Sequence, residues 1–177
     1  CGVLIETRGF EVAWIGLTDE DDSLREWGQA GLDEQVAENF FSRWRDGALP
    51  DCCREVLREG KSVRRGDACA EICPLAGVHR GRASYIAKLT YRSRSYGFLC
   101  VCGPTEFGTA SEDAEWVDQV AGDLAMALRI IESSRERERT LSTLSRQEEL
   151  LNKTGRLARV GGWEVDLEEN TVIWTDA

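Results

Sequence analysis

The chain has 177 residues, 42% hydrophobic and 31% charged, which suits one compact domain plus further segments rather than two full domains. Its formal net charge of −10 argues against nucleic acid, which is held through clustered Lys and Arg, and against an anionic membrane surface. No run approaches the ~20 apolar residues of a membrane span, and no signal peptide is visible.

Seven cysteines, an odd number that includes the adjacent pair Cys52-Cys53, do not make a secreted disulfide framework. Reduced thiols in a cytoplasmic setting are expected instead. The chain opens on Cys1 and its one methionine is Met126, so it reads as a piece of a longer protein.

In chain order, Val3-Leu4-Ile5 followed by Arg8-Gly9 reads as the last turns of a helix stopped by glycine. Glu11 to Leu17 is a β-rich run, Thr18 to Asp22 a polar turn, and Leu24 to Gln29 the returning strand of a hairpin. Between Asp33 and Asp46, Val36, Phe40, Phe41 and Trp44 have helical spacing. Pro50 opens a second helix, Asp51 to Glu59, which Gly60 ends, and Lys61-Ser62-Val63 suits a short edge strand. Residues 66 to 82 read as an irregular loop carrying Cys69, Cys73, Pro74 and His79.

Two strong strands follow, Ala83 to Tyr91 and Tyr96 to Gly103, joined by the polar link Arg92 to Ser95. On the second, Phe98, Cys100 and Cys102 share one face, and Leu99 and Val101 the other. Apolar residues on both faces predict a central strand covered on both sides.

From Ser111 to Thr154 one helical pattern runs without proline and with a single glycine, Gly122. That is a rod of roughly 65 Å, several times the usual helix. Thr109 and Glu112 have capping-box spacing for its start. Val117, Val120, Leu124, Ala127 and Ile131 follow the 3-4-3-4 spacing of a packed or coiled-coil seam, which breaks at Ser133-Ser134. Glu132/Arg135, Arg135/Glu138 and Glu136/Arg139 are opposite charges three apart, as on an exposed helix. Leu141, Leu144 and Leu151 resume an apolar edge in a shifted phase, and Gly155 is a plausible stop.

This order of elements resembles a GAF domain of the kind found in sensor kinases. The words that carry it are Gly9-Phe10-Glu11-Val12-Ala13-Trp14-Ile15-Gly16-Leu17, then Val56-Leu57-Arg58-Glu59-Gly60-Lys61-Ser62-Val63, Cys73-Pro74-Leu75, Ala83-Ser84-Tyr85-Ile86-Ala87-Lys88-Leu89 and Tyr96-Gly97-Phe98-Leu99-Cys100-Val101. The resemblance spans residues 1 to 131, with the domain's first helix mostly absent. It implies an α+β fold: a central antiparallel sheet of five to six strands, helices on both sides and a long C-terminal helix. The tail, residues 156 to 177, resembles the opening of a PAS domain through Arg156-Leu157-Ala158-Arg159-Val160-Gly161-Gly162-Trp163-Glu164-Val165-Asp166-Leu167, Asn170 and Trp174. Residues 111 to 155 would then be a signalling helix between the two. The pair implies a histidine kinase of a two-component system, or a diguanylate cyclase, as the output of the full protein.

In GAF domains the ligand lies between the sheet and the loops and short helices over one face, which places residues 33 to 82 in the cover. Trp14, Phe41, Trp44, Cys69, Cys73, His79, Tyr85 and Phe98 are the candidate ligand-binding residues. The aromatic ones have core packing as the stronger reading. His79, the only histidine, could ligate haem, but it lacks a partner at fixed spacing, and a surface-loop residue beside Arg80 and Arg82 is the stronger reading. A metal or cluster would need about four ligands, and Cys69 and Cys73 supply only one spaced pair. Thiol redox sensing by Cys69 or Cys73 is an alternative. Cys100 and Cys102 read as small buried hydrophobes.

No Cys-His pair is present for bilin attachment, and the Asn-Lys-Phe-Asp-Glu signature of cyclic-nucleotide-binding GAF domains is absent. No catalytic constellation and no phosphate-binding glycine loop appear. The expected function is a non-catalytic sensory module. It binds a small ligand of unknown identity or senses redox state, forms a parallel homodimer, and signals through Val117, Val120, Leu124, Ala127, Ile131, Leu141 and Leu144 to the PAS and output domains. A structural dimerisation spacer and a methionine sulfoxide reductase-like enzyme are the alternatives.

Overall fold

A computed structural model describes residues 1–65, 73–106, 111–158, 162–166 and 171–174. Helix α1, Gly2–Arg8, ends where Gly9 turns left-handed (φ 72°) and returns its N–H to Ile5. Strands β1, Val12–Thr18, and β2, Leu24–Ala30, form the expected hairpin. Helix α2, Glu34–Arg45, starts on the side chain of Asp33, which accepts from the N–H groups of Gln35 and Val36. Helix α3, Asp51–Glu59, starts after Pro50 and stops at Gly60, again left-handed.

Strand β3 is Val63–Arg65, two residues later than the sequence suggests. The expected irregular segment before the next strand includes one helical turn, α4, Ala76–His79. Strands β4, Ala83–Tyr91, and β5, Arg94–Gly103, are joined by Arg92 and Ser93 alone, with Arg92 at φ 55°. Helix α5, Ser111–Ala158, runs through Gly155 rather than stopping there. Glycine costs a helix interior only about 1 kcal/mol, which a run this long absorbs. Thr109, the proposed cap, lies outside the described residues.

The five strands form one antiparallel sheet in the order β2-β1-β5-β4-β3, so β5 is central and β3 is an edge, as the sequence reading has it. Two apolar layers cover it. On one face, Trp14, Phe98, Cys100 and Cys102 pack under Phe40, Phe41 and Trp44 of α2 and Cys52, Cys53 and Val56 of α3. On the other, Ala13, Leu89, Leu99 and Val101 pack against α1 and the first turns of α5 through Val117, Ala121 and Ala125. Two glycines make the first layer possible. A Cβ on Gly16 would overlap the Trp44 ring, and one on Gly97 (φ 133°) would run into the Gly16 carbonyl across the β1–β5 pair.

The α5 stripe divides differently from the expected seam. Val117 is fully buried, with Ala121 and Ala125 one and two turns on, so the face that packs on the sheet is 117-121-125. Val120 and Leu124 flank it half-buried, and Ala127 and Ile131 are exposed. Val117 therefore belongs to the domain's own core, because the sheet offers apolar area to the face centred on it. By contacts the chain divides into residues 1–129 and 130–177. The second unit holds the remainder of α5 and a hairpin of β6, Trp163–Asp166, and β7, Thr171–Trp174, with Trp163 opposite Trp174. No helix among the described residues is long and apolar enough to cross a membrane.

Candidate functional site

A cleft opens where α2 hands over to α3, with about 250 Å³ of space inside it, just below the usual range of small-molecule sites. The local sequence builds it. Gly47 (φ 95°) closes α2 by donating to Trp44 O, and Ala48 donates to Arg43 O. Leu49 then bridges to Pro50, whose fixed φ starts α3. The lining consists of Phe40 and Arg43 from α2, Ala48 to Pro50 from the link, Asp51, Cys52 and Arg54 from the first turn of α3, Arg65 from the end of β3, and Cys73-Pro74.

The basic residues are held in place. Arg54 donates to the Leu49 carbonyl (2.9 Å) and lies 3.6 Å from the Asp51 carboxylate. Arg65, the last residue of β3, pairs with Glu55 of α3. Pro50 offers no side-chain acceptor to the first N–H groups of α3, so the positive end of that helix faces the lining contributed by Pro50, Asp51 and Cys52.

Of the sequence candidates, Cys73 lines the cleft and Cys69 lies outside the described residues. Trp14, Phe41, Trp44 and Phe98 are each no more than 1% exposed and form the packed layer beneath it. Trp14 meets Phe40, Phe41 and Trp44 at ring-centre distances of 5.3, 5.9 and 6.2 Å, and Trp44 Nε1 donates to Asp22 O. Their surfaces are spent on one another rather than on a cavity. Tyr85 sits on the opposite face of the sheet, where its hydroxyl donates to Asp118 of α5 (3.2 Å) and Ser62 donates to the other oxygen of that carboxylate.

His79 is buried, not a surface-loop residue. It closes α4 outside the cleft lining, and burial with the nearby Arg82 charge lowers its pKa to about 4. Burial raises the pKa of Cys53, Cys100 and Cys102, keeping them as thiols at neutral pH. No group of three His, Cys, Asp or Glu able to hold a metal occurs among the described residues. The sequence reading missed Arg43, Arg54 and Arg65. The only available signal was that all three fall within 23 residues of an otherwise acidic chain.

The GAF domain profile matches residues 1–129. The chain belongs to the GAF domain family. Members of that family serve as sensory and regulatory modules of signalling proteins and are in general non-catalytic. No curated protein matches the chain.

Among solved structures, the GAF domain/HD domain protein from Geobacter sulfurreducens is similar with a TM-score of 0.53 at 12% identity, covering 74% of this chain and 88% of that one. It has the same fold: the mixed α/β GAF architecture with its five-stranded antiparallel sheet. A far-red cyanobacteriochrome photoreceptor gives a TM-score of 0.43 at 14% identity, over 74% of this chain and 82% of that one. The E. coli DhaR(N)-DhaL complex gives 0.40 at 16% identity, over 81% of this chain and 50% of that one.

Proposed function

We propose that this GAF domain is the sensory input of a signal-transduction protein, with a histidine kinase as the favoured output. It binds a small ligand in the cleft between α2, α3 and Cys73-Pro74. It relays occupancy through α5 to a PAS-type module that opens at residue 156, in a parallel homodimer.

One observation carries the relay: the short strand β3 and the residue just before it, Ser62, touch both ends of it. Arg65 stands in the cleft wall, and three residues earlier Ser62 is bonded to Asp118 of α5. A ligand that repositions Arg65 against Glu55 moves an edge strand that, among the described residues, has three register pairs to β4. In this reading that strand pulls on the helix through the Ser62–Asp118 bond. The PAS reading draws support from the β6–β7 hairpin, whose Trp163, Val165 and Val172 are exposed. An isolated two-stranded hairpin is marginal in water and needs a further apolar layer.

Leu49→Trp tests the relay, since a bulky side chain on the lining stands in for a ligand. Hydrogen exchange is expected to change at residues 62–65 and 111–125 as well as in α2 and α3. A change confined to α2 and α3 would refute it.

A further inference from the structure

Among the described residues, five cysteines belong to the apolar layer on the α2/α3 side of the sheet: Cys52, Cys53, Cys100, Cys102 and, at its margin, Cys73. They are not equivalent. Cys53, Cys100 and Cys102 are at most 1% exposed, and burial raises the pKa of all three, so they stay protonated and away from solvent. Cys52 and Cys73 are the two that border the cleft. Cys52 does so from the first turn of α3, and Cys73 from the segment that leads into α4. Both are thiols in this structure.

The two are placed by packing rather than by chance of sequence. The Cys73 carbonyl accepts the N–H of Ala76 at 2.9 Å, Pro74 restricts the backbone that follows, and Leu75, 1% exposed, is packed into the same apolar layer as Cys52. The space that both thiols border measures about 250 Å³. Burial, and after it the proximity of Cys52, Cys102 and Cys73, raises the pKa of Cys100 on the strand beneath, so one residue lies within reach of both cleft thiols.

The geometry points to Cys52 and Cys73 as an oxidisable thiol pair whose oxidant is a hydroperoxide. Cys73, the more exposed, attacks as the thiolate. Its sulfur takes the terminal oxygen of the peroxide, the O–O bond breaks, and the other oxygen leaves as an alcohol or as water. The Cys52 sulfur then displaces the hydroxyl of the sulfenic acid, which departs as water with the Cys52 proton while the S–S bond forms. Two thiols and one hydroperoxide thus become one disulfide, one alcohol and one water, with two electrons passing from sulfur to peroxide. A disulfide holds its Cα atoms within about 7 Å of each other, so the bond fixes the width of the cleft. As a signal it rests on the reading of the cleft as the sensor's input; its formation does not.

The test treats the fully reduced 177-residue chain with one equivalent of hydrogen peroxide under native conditions. Thiols are then counted after quenching and unfolding, and the pairing is mapped by peptide mass spectrometry. The seven thiols should fall by two, with Cys52–Cys73 as the linked pair, and dithiothreitol should restore all seven. Cys52→Ser should block the bond and leave at Cys73 a sulfenic acid that dimedone traps. Cys73→Ser should leave the remaining thiols reduced, and Cys69→Ser should leave the bond intact. Near-UV circular dichroism checks that each variant is native, and the wild-type map needs no variant at all.

A Cys69–Cys73 bond, a mixture of pairs, or seven surviving thiols would overturn the assignment. Hydrogen exchange in the oxidised wild type should change at residues 62–65 and 111–125 relative to the reduced chain. A Cys52–Cys73 bond formed without that change would uphold the thiol pair and overturn the relay from the cleft.

Discussion

His79 is 3% exposed, with the Arg82 guanidinium close enough to oppose its protonation. Arg82 is fixed in turn by Val78 O and Glu11. Burial is the larger cause of the depressed pKa, and Arg82 the second. The native state therefore resists a proton that the unfolded chain takes up at the ordinary histidine pKa of 6.5. A folded-state value below the unfolded one means that this contribution is complete above pH 6.5 and is lost as pH falls toward 4. A separation of this size corresponds to about 3 kcal/mol over that window. Urea denaturation of the wild type and of His79→Leu at steps from pH 7 to 4.5 isolates the term from the carboxylates, which both proteins share. The wild type should lose stability faster than the variant. Parallel curves would mean that His79 is solvated or charged in the folded domain.

Asp118 joins three elements, since it accepts from Ser62 just before β3 and from Tyr85 on β4 while belonging to α5. Asp118→Ala should cost about 1 kcal/mol, because the Tyr85 hydroxyl, part-buried beside an exposed Asp118, would lose its protein acceptor. Tyr85→Phe in that background should then be nearly neutral, since the partner is already gone. In guanidinium titrations, strict additivity of the two substitutions would show that the bond contributes nothing.

The elements that were legible in the sequence carry their own signal. β5 shows apolar residues on both faces, α2 shows Phe40, Phe41 and Trp44 on one face, and α3 has Pro50 and Gly60 at its ends. Four residues of α4 are too few to show a period. The edge register of β3 depends on pairing with β4, which lies about twenty residues later in the chain. The cleft was least legible. Arg43 and Arg54 sit at positions that read as the solvated faces of amphipathic helices, and only the tertiary approach of Arg65 and Cys73 makes a wall of them.

At the scale of the whole molecule, the two portions of α5 have different apolar faces for different reasons. Val117, Ala121 and Ala125 are consumed by the sheet. Past residue 129 the apolar side chains have no such cover: Ile130, Ile131, Leu141, Leu144 and Leu151 are about half exposed or more. Ala127, Ile130, Ser134, Arg137, Leu141, Leu144 and Leu151 hold one heptad phase, in which Glu148 fills the remaining place. This seam differs from the one first read through Val117 and Leu124. It begins where the domain's own core ends, and Ser134, Arg137 and Glu148 weaken it at intervals. A second copy in parallel register would cover it, and the polar interruptions would keep the pairing weak enough to shift. Sedimentation equilibrium should find a reversible dimer. Leu141→Glu with Leu144→Glu should raise its dissociation constant at least about tenfold, the effect of burying charge in such a seam. Arg139→Glu, on the far side of the helix, should leave it unchanged. A monomer at all concentrations, or equal sensitivity to all three positions, would remove the dimer from the signalling scheme and leave α5 acting within a single chain.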